Sequence, residues 1–206
     1  MTPASSTITL DQIRAGLQRP PPPPEEHDLH MISLREGTKV TEAAVLVPLV
    51  NRPQGVQLLL TQRTAHLSTH SGQVAFPGGK VDATDRDVVD TALRESHEEV
   101  GLERDQVQVL GTISDYVTGT AFVVTPVVGL VSADHTLKPN PHEVASAFEV
   151  PLAFLMNPAF HRRHALEAEG RRREWFSMPY QDGDEQRFIW GATAGMIRNF
   201  YRFLMA

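Results

Sequence analysis

The sequence predicts an α+β fold, a single domain in which a mixed β-sheet is covered by helices. Short β-rich runs outnumber helical segments, and the helices are interleaved with the strands without regular alternation. A length of 206 residues with 41% hydrophobic and 21% charged residues adds the third observation, since it gives one domain plus appendages a real core.

Residues 8–18 carry one short helical pattern, and Pro20 to Pro24 then enforce a polyproline stretch without backbone donors. Residues 1–40 are therefore read as an N-terminal arm with a stiff linker laid across the surface, and 41–206 as the domain proper. The proline run is also a candidate contact with a partner subunit, which leaves a homodimer open. From Glu42, EAAVLVPLV and VQLLLTQR are strand-like runs split by the turn-forming cluster from Asn51 to Gly55, a buried hairpin. After QVAF a Pro-Gly-Gly turn breaks the strand, and 86–100 reads as a helix stopped by Gly101 at the C′ position. Strand-like runs follow at 106–114, 121–131 and 145–150. A Pro-broken segment at 150–156 leads into a polar stretch at 157–172. Strands at 173–180 and 186–190 precede a last amphipathic helix at 191–204.

Composition excludes several classes of function. A net charge of −6 without a long Lys/Arg block offers no basic face for a nucleic-acid polymer. The chain has no cysteine, so disulfide scaffolds, zinc–thiolate sites and thiol nucleophiles are out, and a cytoplasmic setting is the simplest expectation. The N-terminus lacks an apolar signal core, and no run of ~18 apolar residues occurs, so neither export nor a membrane span is expected.

The chemistry concentrates between Gly78 and Leu102. At 100° per residue, Glu95, Glu98 and Glu99 share one stripe of the helix. Like charges at i,i+3 and i,i+4 oppose helix formation by roughly 0.2–0.5 kcal/mol per pair, and acidic residues in the last turn oppose the helix dipole. An acidic pair is ordinarily a solvated face. Here Arg94 lies beside the stripe as a counter-ion, and Gly78-Gly79 lets backbone pass close to a ligand. Broken local rules point to function, and oxygen-only ligands at this density suit a hard cation such as Mg²⁺ or Mn²⁺.

Other motifs fail on spacing. His66 and His70 lack the Glu of H-E-x-x-H, and Gly72 to Lys80 is no P-loop because Val81 follows the lysine. Asp82, Asp85, Asp87 and Asp90 lack the glycine and terminal glutamate of an EF-hand, and no G-x-S-x-G appears.

The segment resembles the Nudix box, G-x5-E-x7-R-E-U-x-E-E-x-G-U, where U is aliphatic. Gly79, Arg94, Glu95, Glu98, Glu99, Gly101 and Leu102 match, and Asp85 stands where the first glutamate belongs. One extra residue separates Asp85 from Arg94, and Ser96 occupies an aliphatic position. Upstream, Leu59-Leu60-Thr61-Gln62-Arg63, Gly72 and Phe76-Pro77-Gly78-Gly79 resemble the signature L-L-T-x-R-[SA]-x3-R-x3-G-x3-F-P-G-G of coenzyme A pyrophosphatases. In it Thr64 stands for Ser/Ala and Ser68 for Arg. That subgroup tolerates the Asp and the extra residue, and residues 143–152 are also similar to it.

The resemblance implies a Nudix fold, an α/β/α sandwich, and a metal-dependent hydrolase acting on a small-molecule diphosphate. Glu95, Glu98 and Glu99 are the expected ligands of Mg²⁺ or Mn²⁺, with Arg94 orienting them. Glu143, on a loop before a strand, is a candidate general base beside the helix glutamates. Arg63, Gly78 and Gly79 are the expected substrate-binding residues, with Arg63 the first candidate to read the 3′-phosphate of coenzyme A. Arg162, Arg163, Arg171, Arg172 and Arg173 form the only basic cluster, of a kind more often solvated. The implied substrate is coenzyme A or a derivative, cut into adenosine 3′,5′-bisphosphate and (acyl-)4′-phosphopantetheine. The alternatives are a pyrophosphohydrolase for a nucleotide sugar, dinucleotide or nucleoside triphosphate, and a non-catalytic nucleotide-sensing module, disfavoured because all three box glutamates are present.

Overall fold

A computed structural model describes residues 8–23, 39–66, 71–168 and 171–206. In chain order the elements are α1 (Leu10–Leu17), β1 (Thr41–Arg52), β2 (Gly55–Arg63), β3 (Val74–Ala75), β4 (Gly78–Lys80) and α2 (Val88–Val100). There follow β5 (Val107–Thr112), β6 (Tyr116–Val117), β7 (Phe122–Val131), β8 (Val144–Pro151) and α3 (Leu152–Leu155). The chain ends with β9 (Arg162–Ala168), β10 (Arg171–Asp182), β11 (Glu185–Trp190) and α4 (Gly191–Met205).

Between Leu46 and Val50 strand β1 has no polar side chain, so it is stable only where both faces are covered. It pairs in parallel with β7 from Thr41↔Phe122 to Val50↔Val131. On its other edge it is shared. Leu49 to Arg52 pair antiparallel with β2, whereas Ala43 to Val45 pair with β4. Strand β2 leaves β1 to pair with β8 and β3, and β5 and β6 add to β7, giving a mixed sheet.

One face packs Ala44, Leu46, Leu59 and Val127 against Ala92 and Val100 of α2. The other packs Leu49, Leu58, Leu60 and Val128 with Ile197 and Phe200 of α4, Ile13 of α1, and Met178 and Ile189 of a second sheet ordered β11-β10-β9. The α+β sandwich expected from the sequence, a mixed sheet covered by helices, is present.

Helix α1 starts with a capping box: the Gln12 amide donates to Thr9 Oγ1 at 3.3 Å, and the Thr9 amide to Gln12 Oε1 at 2.8 Å. Ile13 is fully buried, and a Cβ on Gly16 would lie 2.8 Å from Leu204. Arg202 donates to the Pro23 carbonyl, tying the described part of the proline run to α4. This helical part of the expected arm thus belongs to the core.

Three expectations are corrected. Gly78-Gly79 is not a turn but strand β4, because without side chains it can lie directly against β1. The polar stretch 157–172 contains β9 and the start of β10. Their residues from 162 to 168 and 171 to 177 pair antiparallel, and exposed Arg162, Arg163 and Glu167 hide the strand pattern. The Pro-broken segment 150–156 holds α3, with Pro151 at its start, where the missing N–H costs no helical bond. The short β6 has no counterpart in the sequence reading. Pro24, Ser68, His70 and the side chains of Arg171, Arg172 and Arg173 lie outside the described residues. No helix among those described is long and apolar enough to cross a membrane.

Candidate active site

The glutamate stripe depends on how α2 is held at its two ends. At the start, Asp87 caps the helix by accepting from the Asp90 amide at 2.8 Å. At the end, Gly101 takes the left-handed conformation with φ +68°. Its amide donates to the His97 carbonyl at 2.9 Å, and the amide of buried Leu102 donates to that of Ser96 at 3.4 Å. Ser96, at the aliphatic position of the box, is fully buried and donates its hydroxyl to the Ala92 carbonyl at 2.6 Å. A polar atom there is satisfied within the helix.

Arg94 organises the cluster. Its Nε and Nη2 donate to the two oxygens of Asp85, each at 2.8 Å, and its Nη1 donates to Glu95 Oε1 at 2.9 Å and to Glu98 Oε2 at 3.3 Å. Asp85 is 2% exposed and also accepts from the Thr91 hydroxyl at 2.8 Å and the Asp82 amide at 2.9 Å. The Arg94 guanidinium, reinforced by these bonds, holds the Asp85 carboxyl far below the usual carboxylate range, and Arg94 is itself raised.

Glu99 is 5% exposed. Its Oε2 accepts from the Gly78 amide at 3.1 Å, and its Oε1 lies 3.4 Å from Arg63 Nη1. Burial pushes Glu99 up to about 7. The Gly78 amide and Arg63 oppose the shift, and the charges of Glu143 and Glu95 add to it. Glu95 is also raised by burial, against the pull of Arg94. Its carboxylate lies on Gly79, where a Cβ would come within 2.4 Å of Glu95 Cδ. At Gly78 a Cβ would meet the Ala44 carbonyl and Val45 Cα at 2.5 Å each. Both glycines therefore serve close approach, Gly78 to β1 and Gly79 to a carboxylate.

Glu143 enters from the loop before β8. The Thr64 amide donates to its carbonyl at 2.9 Å, and Asn140 Nδ2 reaches its Oε1 at 3.5 Å. Asn140 also donates its amide to the Glu99 carbonyl at 2.8 Å, so one residue ties that loop to the end of α2. The fold thus brings together all eight expected site residues: Arg63, Gly78, Gly79, Arg94, Glu95, Glu98, Glu99 and Glu143.

Five carboxylates (Asp85, Glu95, Glu98, Glu99 and Glu143) face two guanidiniums (Arg63 and Arg94), a formal excess of three negative charges. Partly buried, oxygen-only and under-neutralised, the set fits a hard divalent cation. Among the described residues no three acidic or His side chains are placed to hold an ion by themselves, and water and substrate oxygens would have to supply much of its shell.

The NUDIX domain family profile matches residues 40–178. The chain belongs to the Nudix family. A Nudix hydrolase named NudL from Pectobacterium atrosepticum, called uncharacterized, is 46% identical over 167 residues, covering 80% of this chain and 83% of the relative. The protein of that name from Escherichia coli O1:K1 is 45% identical over the same lengths and shares. Among solved structures, the Nudix hydrolase RenU from M. smegmatis is similar at 25% identity and TM-score 0.47, covering 54% of this chain and 71% of that one. This protein is accordingly a Nudix hydrolase, and Nudix hydrolases act with divalent metal ions.

Within the Nudix site, sequence reasoning missed Thr91 and Asn140 and left Asp85 without a role. Thr91 sits six residues after Asp85 in the box itself, but a lone threonine carries no signal of its partner. The coincidence of a shorter acid with an extra loop residue was the available sign that Asp85 still reaches Arg94. The basic cluster is separate: Arg162 and Arg163 lie on β9 of the second sheet, where Arg163 pairs with Glu174.

Proposed function

We propose that this Nudix hydrolase splits the diphosphate linkage of coenzyme A or acyl-coenzyme A with Mg²⁺ or Mn²⁺, giving adenosine 3′,5′-bisphosphate and (acyl-)4′-phosphopantetheine. One observation carries the reading. The two strands that bear the coenzyme A pyrophosphatase signature meet at Glu99, β2 contributing Arg63 and β4 contributing the Gly78 amide. The signature thus borders the carboxylates instead of lying elsewhere on the fold.

In this reading Glu95, Glu98 and Glu99 hold the ion, which neutralises the diphosphate and lowers the pKa of water when bound. Arg94, fixed by Asp85, holds Glu95 and Glu98 in place. Glu143 accepts the proton of the attacking water, a role worth typically ~10²–10⁴-fold in rate. Arg63, standing against Glu99, is assigned to the diphosphate in place of the 3′-phosphate, since a planar guanidinium matches phosphate oxygens. Arg63→Ala then weakens coenzyme A and dephospho-coenzyme A equally.

The test is a product-resolved assay with each ion on coenzyme A, an acyl derivative, dephospho-coenzyme A, a nucleotide sugar, a dinucleotide and a nucleoside triphosphate. Preferred release of adenosine 3′,5′-bisphosphate from the coenzyme A substrates supports the reading. A higher kcat/KM on any of the last three overturns the substrate while leaving the hydrolase.

A further inference from the structure

The two guanidiniums of the site are held in different ways. Arg94 places a planar fork on Asp85 through two 2.8 Å bonds and spends further donors on Glu95, Glu98 and the Lys80 carbonyl. The Arg63 side chain has, among the described residues, one polar contact, 3.4 Å to Glu99, well beyond the ~2.7–2.9 Å of a charge-assisted bond. Its Nε is buried and has no hydrogen-bond partner among the described residues. Leaving a buried polar atom of a charged group unsatisfied is unfavourable, so this partly buried guanidinium stands ready for an acceptor that the described residues do not supply.

Both oxygens of Glu99 have a donor beside them. Its Oε2 is taken by the Gly78 amide, and Arg63 stands at Oε1, the remaining oxygen. A divalent ion approaching Oε1 meets a positive charge a few ångströms away in a partly buried setting, where repulsion between cations is screened much less than in open water. An ion at Oε1 therefore favours the departure of Arg63 from that position.

We infer that Arg63 is the internal counter-ion of Glu99 in the metal-free enzyme, that the divalent ion displaces it, and that the displaced guanidinium then takes a phosphate of the substrate. This rests on the hydrolytic reading above and deepens it: one arginine couples ion binding to diphosphate binding. Without substrate, Arg63 opposes the ion. With a diphosphate present to accept Arg63, that opposition is relieved, and linkage requires the ion to favour the diphosphate by the same factor.

The experiment titrates Mn²⁺ calorimetrically into metal-free wild type, Arg63→Gln and Arg63→Lys in mildly alkaline buffer. Arg63→Gln is expected to bind Mn²⁺ roughly 10-fold tighter, a change of about 1.4 kcal/mol. Arg63→Lys, which keeps the charge, stays near wild type. A second arm does not need an Arg63 variant to fold. Metal-free Glu99→Gln, which frees the guanidinium, should bind methylenediphosphonate roughly 10-fold tighter than metal-free wild type. Folded Arg63→Gln with unchanged or weaker Mn²⁺ affinity overturns the inference, as does Glu99→Gln with no gain in methylenediphosphonate affinity. In both cases the hydrolytic reading survives; wild type that binds no Mn²⁺ removes that reading and the inference with it.

Discussion

Asp85 and Arg94 meet fork to fork, with both carboxylate oxygens 2.8 Å from guanidinium nitrogens and the acid almost wholly buried. The acid that departs from the family pattern therefore anchors the arginine that arranges the glutamates. Asp85→Ala should lower kcat by roughly 10²-fold through misplacement alone. It should also cost about 1.5–3 kcal/mol of stability at neutral pH. The pH dependence has a definite sign. Because Asp85 titrates well below its unfolded value, the stability it lends is full above about pH 4 and disappears as pH falls further. Chemical denaturation of the pair should show curves that are far apart at neutral pH and converge in acid.

Glu99 behaves in the opposite sense. Its folded pKa is raised to about 7, so in metal-free protein the carboxylate lowers stability progressively as pH rises from its unfolded value through neutrality. Glu99→Gln should abolish most turnover while removing this slope, making the metal-free variant more stable than wild type by on the order of 3 kcal/mol above neutrality. Thermal midpoints across pH in EDTA decide this; a variant less stable than wild type at pH 8 contradicts it.

Glu98 is the exposed member of the stripe, 55% accessible, and its loss should leave the fold within about 0.5 kcal/mol of wild type. Glu98→Gln is expected to lower turnover and weaken apparent Mn²⁺ affinity together. Glu143→Gln should instead lower kcat by ~10²–10⁴ with Mn²⁺ affinity nearly unchanged. Steady-state kinetics paired with calorimetry separates the two; equal losses of ion affinity would make Glu143 a ligand and not a base.

The two site glycines should fail differently. In Gly78→Ala the new methyl meets the backbone of Ala44 and Val45, which cannot step aside, so a loss of about 1–3 kcal/mol in stability is expected. In Gly79→Ala it meets the end of a side chain, Glu95, which can move. That variant should keep a near-native thermal midpoint and lose activity.

Ile13 is buried against the domain, so Ile13→Ala should cost ~2–5 kcal/mol. Since every chemical group lies after residue 58, kcat measured well below the melting transition should not change. Deletion of residues 1–25 should combine a lower midpoint with an intact kcat, and a folded but inactive product would show that this segment completes the site.

The site was legible in the sequence to the extent that its parts lie on one helix. The stripe of Glu95, Glu98 and Glu99 follows from helical periodicity, its reading as a site from Arg94 beside it and from the resemblance to the Nudix box, and the Gly101 stop from the glycine itself, which takes the left-handed cap. Contacts that cross elements were not legible. Arg63 reaches Glu99 only because β2 leaves β1 and β4 takes its place, a switch of strand partners with no local signature. Gly78-Gly79 has the composition of a turn, and only the nearness of β1 and Glu95 explains it as a strand. Likewise β9 hides in charged residues because its hydrogen bonds, not its apolar pattern, hold it in place.

Helix α1 rests on α4, where Gly16 lies against Leu204. Eight residues are too few for an independent helix in water, so α1 acquires lasting structure only once α4 exists to receive it. During synthesis on the ribosome α1 is made well before α4 yet settles only after it, and Ile13 waits in solvent until α4 has been released. A chain stopped just short of α4 would lose the packing of α1 together with α4, exposing the Leu58 and Leu60 side of the main sheet to quality control while the carboxylate cluster on the opposite face kept its own helix.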